Sequence, residues 1–221
     1  MSQIEENLKA VKAKIKKAAD QWKIDAASVN LIAVSKKQPE EKIDAMLAAG
    51  HRIYGENRVQ EAQKRWENRR SEHSDLELHL IGPLQTNKVK EAIALFDVIH
   101  SVDRPKLVKA LARECKAQNK TPEFLLQVNT GDEDQKSGVM PEELTALLAS
   151  CAEEGLTIEG LMCIPPINDP PGVHFAFLKK LADENGLKEL SMGMSGDYEK
   201  AIPLGATYIR VGTALFGARV T

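Results

Sequence analysis

LIAVSKKQPEEKIDAMLAAGHRIYGE, residues 31–56, contains one complete strand–helix–strand unit. The apolar run Leu31 to Lys36 reads as a strand, Pro39 opens a helix that Gly50 follows, and Arg52 to Glu56 begins the next strand. The same unit recurs to the C-terminus. Further strands are expected at Leu78 to Gly82, Val98 to Val102, Phe124 to Asn129, Ile158 to Ile164, Glu189 to Met194 and Tyr208 to Gly212. Pro141 opens another helix and Gly155 follows it. About eight strand–helix units in one chain predict an α/β fold, a single-domain (β/α)8 barrel over residues 1–221. An open doubly wound sheet needs fewer strands and a glycine-rich phosphate loop after the first, where this chain has only VSKKQP.

Outward from that unit, Ile4, Leu8, Val11, Ile15 and Trp22 recur at helical spacing, and Ser2 with Glu5 forms a capping-box pattern. An extra N-terminal helix is therefore expected on the barrel. Its lysines Lys12, Lys14, Lys16 and Lys17 share it with Glu5, Glu6 and Asp20, which describes a solvated face. The formal net charge of -2, from 30 basic and 32 acidic residues, gives no field for nucleic acid or an anionic membrane. The N-terminus lacks a signal peptide's apolar stretch, and no segment is apolar enough to span a bilayer. Cys115, Cys151 and Cys163 lack zinc-like spacing and read as reduced thiols of a cytoplasmic protein. Cys115 and Cys151 continue apolar helical stripes and belong to the core. No metal site is expected, and the partner is a small molecule.

In a barrel of this kind, chemistry sits at the C-terminal ends of the strands. Lys36 ends the first strand on the same face as Ile32 and Val34, where little water is expected. A desolvated lysine becomes a neutral amine able to attack a carbonyl, while the plain alternative is a lysine that snorkels into solvent. Ser195-Gly196 and Gly212-Thr213 close the last two strands before short helical stretches, Tyr198 to Leu204 and Ala214 to Gly217. Small residues there let backbone N–H groups approach a phosphate, although two ordinary tight turns have the same composition. Arg210 shares a face with Tyr208 and Gly212, so it points into or over the barrel and needs an acceptor. Either a carboxylate from Asp103 or Glu56, or a ligand, meets that need. Asn57, His79 and Asn129 are open between capping, loop-satisfying and functional roles.

The sequence also resembles the pyridoxal-phosphate homeostasis proteins, relatives of the barrel domain of bacterial alanine racemase. The resemblance is carried by AVSKKQP with Lys36, YGENRVQEA with Asn57, HLIGPLQTNK (79–88), IHSVD (99–103) and QVNTGDEDQKSG (127–138). GLMCIPP (160–166), LSMGMSGD (190–197) and IRVGTALFGAR (209–219) complete it in order along almost the whole chain. It implies that Lys36 holds pyridoxal 5′-phosphate as an aldimine and that Ser195, Gly196, Gly212 and Thr213 hold the phosphate. Arg210 would face the pyridine nitrogen, and Asn57 would lie beside the ring. The implied role is maintenance of vitamin B6 and amino-acid balance by reversible binding of the cofactor, without an established catalytic reaction; a cytoplasmic monomer with no catalytic residues and with cofactor-dependent apoenzymes as transient partners is expected. The segment between Pro166 and Leu190 looks shorter than the family's, which bears on one outer helix and not on the pocket.

Three other functions compete with that role. An amino-acid racemase of the related fold carries a β-rich second domain and a partner-supplied tyrosine base, and the residues up to Thr221 provide neither. A class I aldolase would use the same lysine on a sugar phosphate. A sensor would take another phosphorylated ligand.

Overall fold

The structure is a computed structural model that describes residues 2–133 and 135–217. Asp134 and the Ala218–Arg219 end of the last quoted stretch lie outside the described residues. Eight parallel strands close in chain order: β1 (Asn30–Val34), β2 (Ile53–Glu56), β3 (Glu77–Leu80), β4 (Val98–Val102), β5 (Glu123–Gln127), β6 (Gly160–Met162), β7 (Glu189–Met194) and β8 (Tyr208–Val211). Helices α1 (Gln3–Gln21), α2 (Glu40–Ala48), α3 (Val59–Glu72), α4 (Val89–Leu95), α5 (Pro105–Gln118), α6 (Leu144–Glu153), α7 (Pro171–Glu184), α8 (Tyr198–Ala201) and α9 (Thr213–Phe216) surround them. β8 pairs with β1, Arg210 opposite Ile32, so the sheet keeps no open edge. This is the (β/α)8 barrel.

Alternation along each strand divides the core in two. Leu31 and Ala33 of β1 face the helices and join a layer that includes Trp66, Phe96, Phe124 and Phe175, all fully buried. Ile32 faces inward and meets Val98, Leu125 and Tyr208 in the barrel's interior. Burying each large side chain contributes about 1.5–3 kcal/mol. Ile4, Leu8, Val11 and Ile15 fasten α1 to the outer layer, and Ser2 Oγ accepts the Glu5 backbone N–H at 3.2 Å.

The element ends differ from the sequence reading in several places. β1 stops at Val34 and β5 at Gln127, while β6 is only three residues long, Gly160–Met162. Pro39 is the cap residue before α2, and Pro141 opens a 3-10 turn, Pro141–Glu143, ahead of α6. Trp22 caps α1 and is 60% exposed, so it is not part of the buried stripe. α7 has 14 residues, the same as α3 and α5, so the segment after Pro166 still forms a full outer helix.

Candidate functional site

Lys36 stands two residues beyond β1, in a turn where Lys37 takes a left-handed φ of 57°. Position beyond the strand leaves Lys36 half-buried, and the sealed environment expected from strand alternation is absent. What fixes this turn is a buried ion pair behind it. Glu56, at the end of β2 and fully buried, accepts from Ser35 Oγ at 2.6 Å, Arg65 at 2.9 Å and Trp66 Nε1 at 3.0 Å. Arg65, on the inner side of α3, donates in turn to the carbonyls of Ser35 at 2.8 Å and Gln38 at 3.3 Å. Both carbonyls flank Lys36. Burial pulls the Arg65 pKa down, but Glu56 and Glu40 more than offset it, and the guanidinium is held above its ordinary value.

Across the mouth, Ser195 Oγ accepts the backbone N–H of Gly212 at 3.1 Å and lies 3.5 Å from that of Ala214. The two small-residue turns are therefore tied to each other. Gly193, with φ of 92°, bends β7 ahead of Ser195, and a Cβ there would stand 2.7 Å from Ala201 and 2.9 Å from Tyr198. Gly196 is different, since a Cβ on it would meet nothing within 4 Å. Packing does not demand that glycine. Its missing side chain instead leaves room in front of the backbone. The Thr213 hydroxyl has no hydrogen-bond partner among the described residues.

Arg210 enters from β8 and is only 4% exposed. Among the described residues no carboxylate pairs with it, for Glu56 is committed to Arg65 and Asp103 to Arg104. Its acceptors are Ser191 Oγ at 2.6 Å and the Cys163 carbonyl at 2.8 Å. Burial holds its pKa below the ordinary arginine value, and Cys163 and Asp197 offset that only in part. It nonetheless remains charged at any ordinary pH. A buried cation satisfied by a hydroxyl and one carbonyl still has N–H donors to give.

A cavity of about 300 Å³ brings together Lys36, Asn57, Ser195, Gly196, Arg210, Gly212 and Thr213, with Val34, Ile81, Ile164 and Met194 as apolar walls. Asn57 is fixed by Gly82, where a Cβ would stand 2.3 Å from the Asn57 carbonyl oxygen. Asn129 lies in a neighbouring cavity and closes its own loop, donating to the Glu133 carbonyl at 3.0 Å. His79 is away from the mouth, deep in the barrel, bonded to Glu77 at 2.7 Å and to His100 at 2.8 Å. Burial, His79 and Arg210 keep His100 neutral, its pKa well below the usual histidine value. The Glu56–Arg65 pair is the feature that sequence reasoning missed. Arg65 sits among the polar residues of α3, and only its position beside the buried Trp66 hints that it faces inward.

A family model described as alanine racemase, N-terminal domain, matches residues 1–220. The pyridoxal phosphate homeostasis protein of Pseudomonas aeruginosa is 44% identical over 227 residues, which cover 99% of this chain and 97% of that protein. This chain belongs to the pyridoxal phosphate homeostasis protein family. The family member from Escherichia coli K12 is 38% identical over 229 residues, covering 99% of this chain and 98% of that one. Among solved structures, the family's PipY from Synechococcus elongatus, with PLP bound, superposes with a TM-score of 0.83 at 38% identity, covering 97% and 100% of the two chains. An alanine racemase from Clostridium difficile shares the fold at a TM-score of 0.74 and 14% identity, and this chain covers 58% of it.

Proposed function

We propose that this chain binds pyridoxal 5′-phosphate reversibly in the 300 Å³ cavity at the barrel mouth and serves vitamin B6 and amino-acid homeostasis without fast turnover of its own. The observation that carries this reading is the composition of that cavity. It combines one lysine amine, a pair of linked small-residue turns opposite, and a buried arginine with no carboxylate. Its volume lies at the small end of the range for small-molecule sites. The empty space in front of Gly196 fits the close approach of a phosphate to backbone.

When bound, the cofactor supplies an aldehyde that condenses reversibly with a primary amine. Lys36 presents the amine, and the Glu56–Arg65 pair keeps its turn in place from behind. The Ser195 hydroxyl already accepts from Gly212, which leaves its own proton for a phosphate oxygen, and Thr213 offers a second hydroxyl. Asn57 would flank the ring. Arg210 donates and cannot accept, so a pyridine nitrogen facing it stays unprotonated. An unprotonated ring draws electrons poorly, which is the physical reason for expecting no enzyme-like rate. Half-exposure of Lys36 leaves the linkage open to water and to competing amines, as transfer to cofactor-dependent apoenzymes requires.

Borohydride reduction of the cofactor-loaded protein, followed by peptide mapping, tests the assignment. One pyridoxyl group on Lys36 is expected, and Lys36→Ala should lose it while retaining weak, non-covalent binding through the phosphate contacts. A major adduct on another lysine would overturn the site. Racemase, transaminase and decarboxylase assays should stay near background. Turnover of a common amino acid at about 1 s⁻¹ or faster, the low end of ordinary enzymes, would replace this reading with a racemase-like one.

A further inference from the structure

Behind Lys36, on the side away from Ser195 and Gly212, lies a second cavity of about 610 Å³, twice the volume of the first. Lys36 and Asn57 form the shared wall between the two. The other charged residues lining it are Arg58, Lys88 and Arg104, each from a different strand-to-helix connection, and among the described residues no acidic one lines it. We propose that this cavity is a second anion site, for a small phosphoester or polyphosphate carrying at least two negative charges, held by Arg58, Lys88 and Arg104 beside Lys36.

Three observations lead there. First, four cationic side chains converge on one cavity, so an anion between them is electrostatically favoured. Second, each retains donors. Arg58 gives one nitrogen to Glu61 at 3.3 Å, and Lys88 is 3.8 Å from Glu91, beyond hydrogen-bond reach. Arg104 bonds to Asp103 and to the Leu84 carbonyl at 2.9 Å, which uses part of its five-donor fork. Third, α3 begins at this wall, with Arg58 as its cap residue and no side chain capping the first turn. Its free N–H groups and positive end add to the same field. Arg58, Lys88 and Arg104 each have one carboxylate within 4 Å that does not line the cavity, so the choice of anion rests on donors: a phosphoester or polyphosphate has enough oxygens to meet several of the four side chains at once, and a monocarboxylate does not.

This site adjoins the proposed cofactor cavity but does not depend on the cofactor's identity. Pyrophosphate is a suitable probe, titrated calorimetrically at low salt into the cofactor-loaded full chain, whose phosphate turns at Ser195 and Thr213 are then filled. Saturable binding of one pyrophosphate per chain is expected. The double variant Arg58→Met/Lys88→Met should weaken it about ten-fold or more. Both side chains are at least partly exposed, so the variant should fold, as a retained melting transition would verify. Ser195→Ala/Thr213→Val should leave pyrophosphate affinity unchanged. No saturable binding, or equal affinity in the Arg58/Lys88 variant, would overturn the proposal. So would loss confined to the Ser195/Thr213 variant, which would place the anion in the first cavity. If the protein takes up no pyridoxal 5′-phosphate, the same three titrations on the unloaded chain still separate the two sites, and only the cofactor reading fails.

Discussion

Two arginines lie buried within the reach of one barrel mouth, and they are partnered in opposite ways. Arg65, its side chain 12% exposed, faces a fully buried carboxylate, two backbone carbonyls and Glu40, and its charge is stabilised. Arg210, more deeply buried, has a serine hydroxyl and one carbonyl, and its charge is destabilised. The first is charge-compensated, although Glu56 Oε2 is left without a hydrogen-bond partner among the described residues, and its product is a fixed backbone turn. The second lacks a counter-charge among the described residues, and it lines the cavity. A buried cation that has its counter-charge serves the fold, while one that lacks it is aimed at something the fold does not supply.

Substitutions should separate these roles. Glu56→Gln leaves Arg65 without its buried partner and should cost about 3–5 kcal/mol. For a chain of this size, that lowers the melting temperature by on the order of 10 °C, measurable by calorimetry without cofactor. A loss no larger than a surface substitution's would break the contrast. Thr213→Ala should leave the unloaded protein unchanged but cut the stabilisation produced by excess cofactor by roughly 1.5–3 kcal/mol, the value of a hydrogen bond to a charged group. An unchanged thermal shift would move the phosphate elsewhere. Ser191→Ala removes one acceptor from Arg210 and should cost about 1–2 kcal/mol in the unloaded protein. Its sharper signature is weaker cofactor retention, read by equilibrium dialysis. Arg210→Met should have a small net effect on the unloaded barrel, because removing a buried cation that has no counter-charge offsets the loss of its bonds to Ser191 and the Cys163 carbonyl. Strong destabilisation by Arg210→Met would make Arg210 a structural residue like Arg65.

The contrast also explains what was legible in the sequence. Strands and helices announce themselves through periodicity, so all eight strands were found, with β4 and β7 placed to the residue. Lys36, Ser195 and Arg210 were visible because a strand's end and face can be counted from its apolar neighbours. Their gathering in one cavity follows from closure of the barrel. The Glu56–Arg65 pair was not legible, since a strand-end glutamate and a helix arginine nine residues later carry no shared period. Glu56 instead suggested itself as a partner for Arg210, and only the structure shows it turned outward toward α3. His79 misled for a related reason: it faces the barrel interior, but at the level of Glu77 and His100 instead of the mouth.

Closure of β1 on β8 has a consequence for timing during synthesis. Asn30 must pair with Tyr208, the Lys42 amine reaches the Phe216 carbonyl, and Asn7 reaches that of Leu215. Lys36 and the Ser195–Thr213 turns are thus separated by most of the polypeptide. A ribosome adding about 5–20 residues each second needs on the order of ten seconds or more between the first part of the site and the last. Throughout that interval the early strands and Lys36 exist without the opposite wall, and the seam cannot form. Contacts this distant in sequence also make closure itself a late and slow event. The assembled cavity, with both its walls, is therefore complete only after the last strand has left the ribosome.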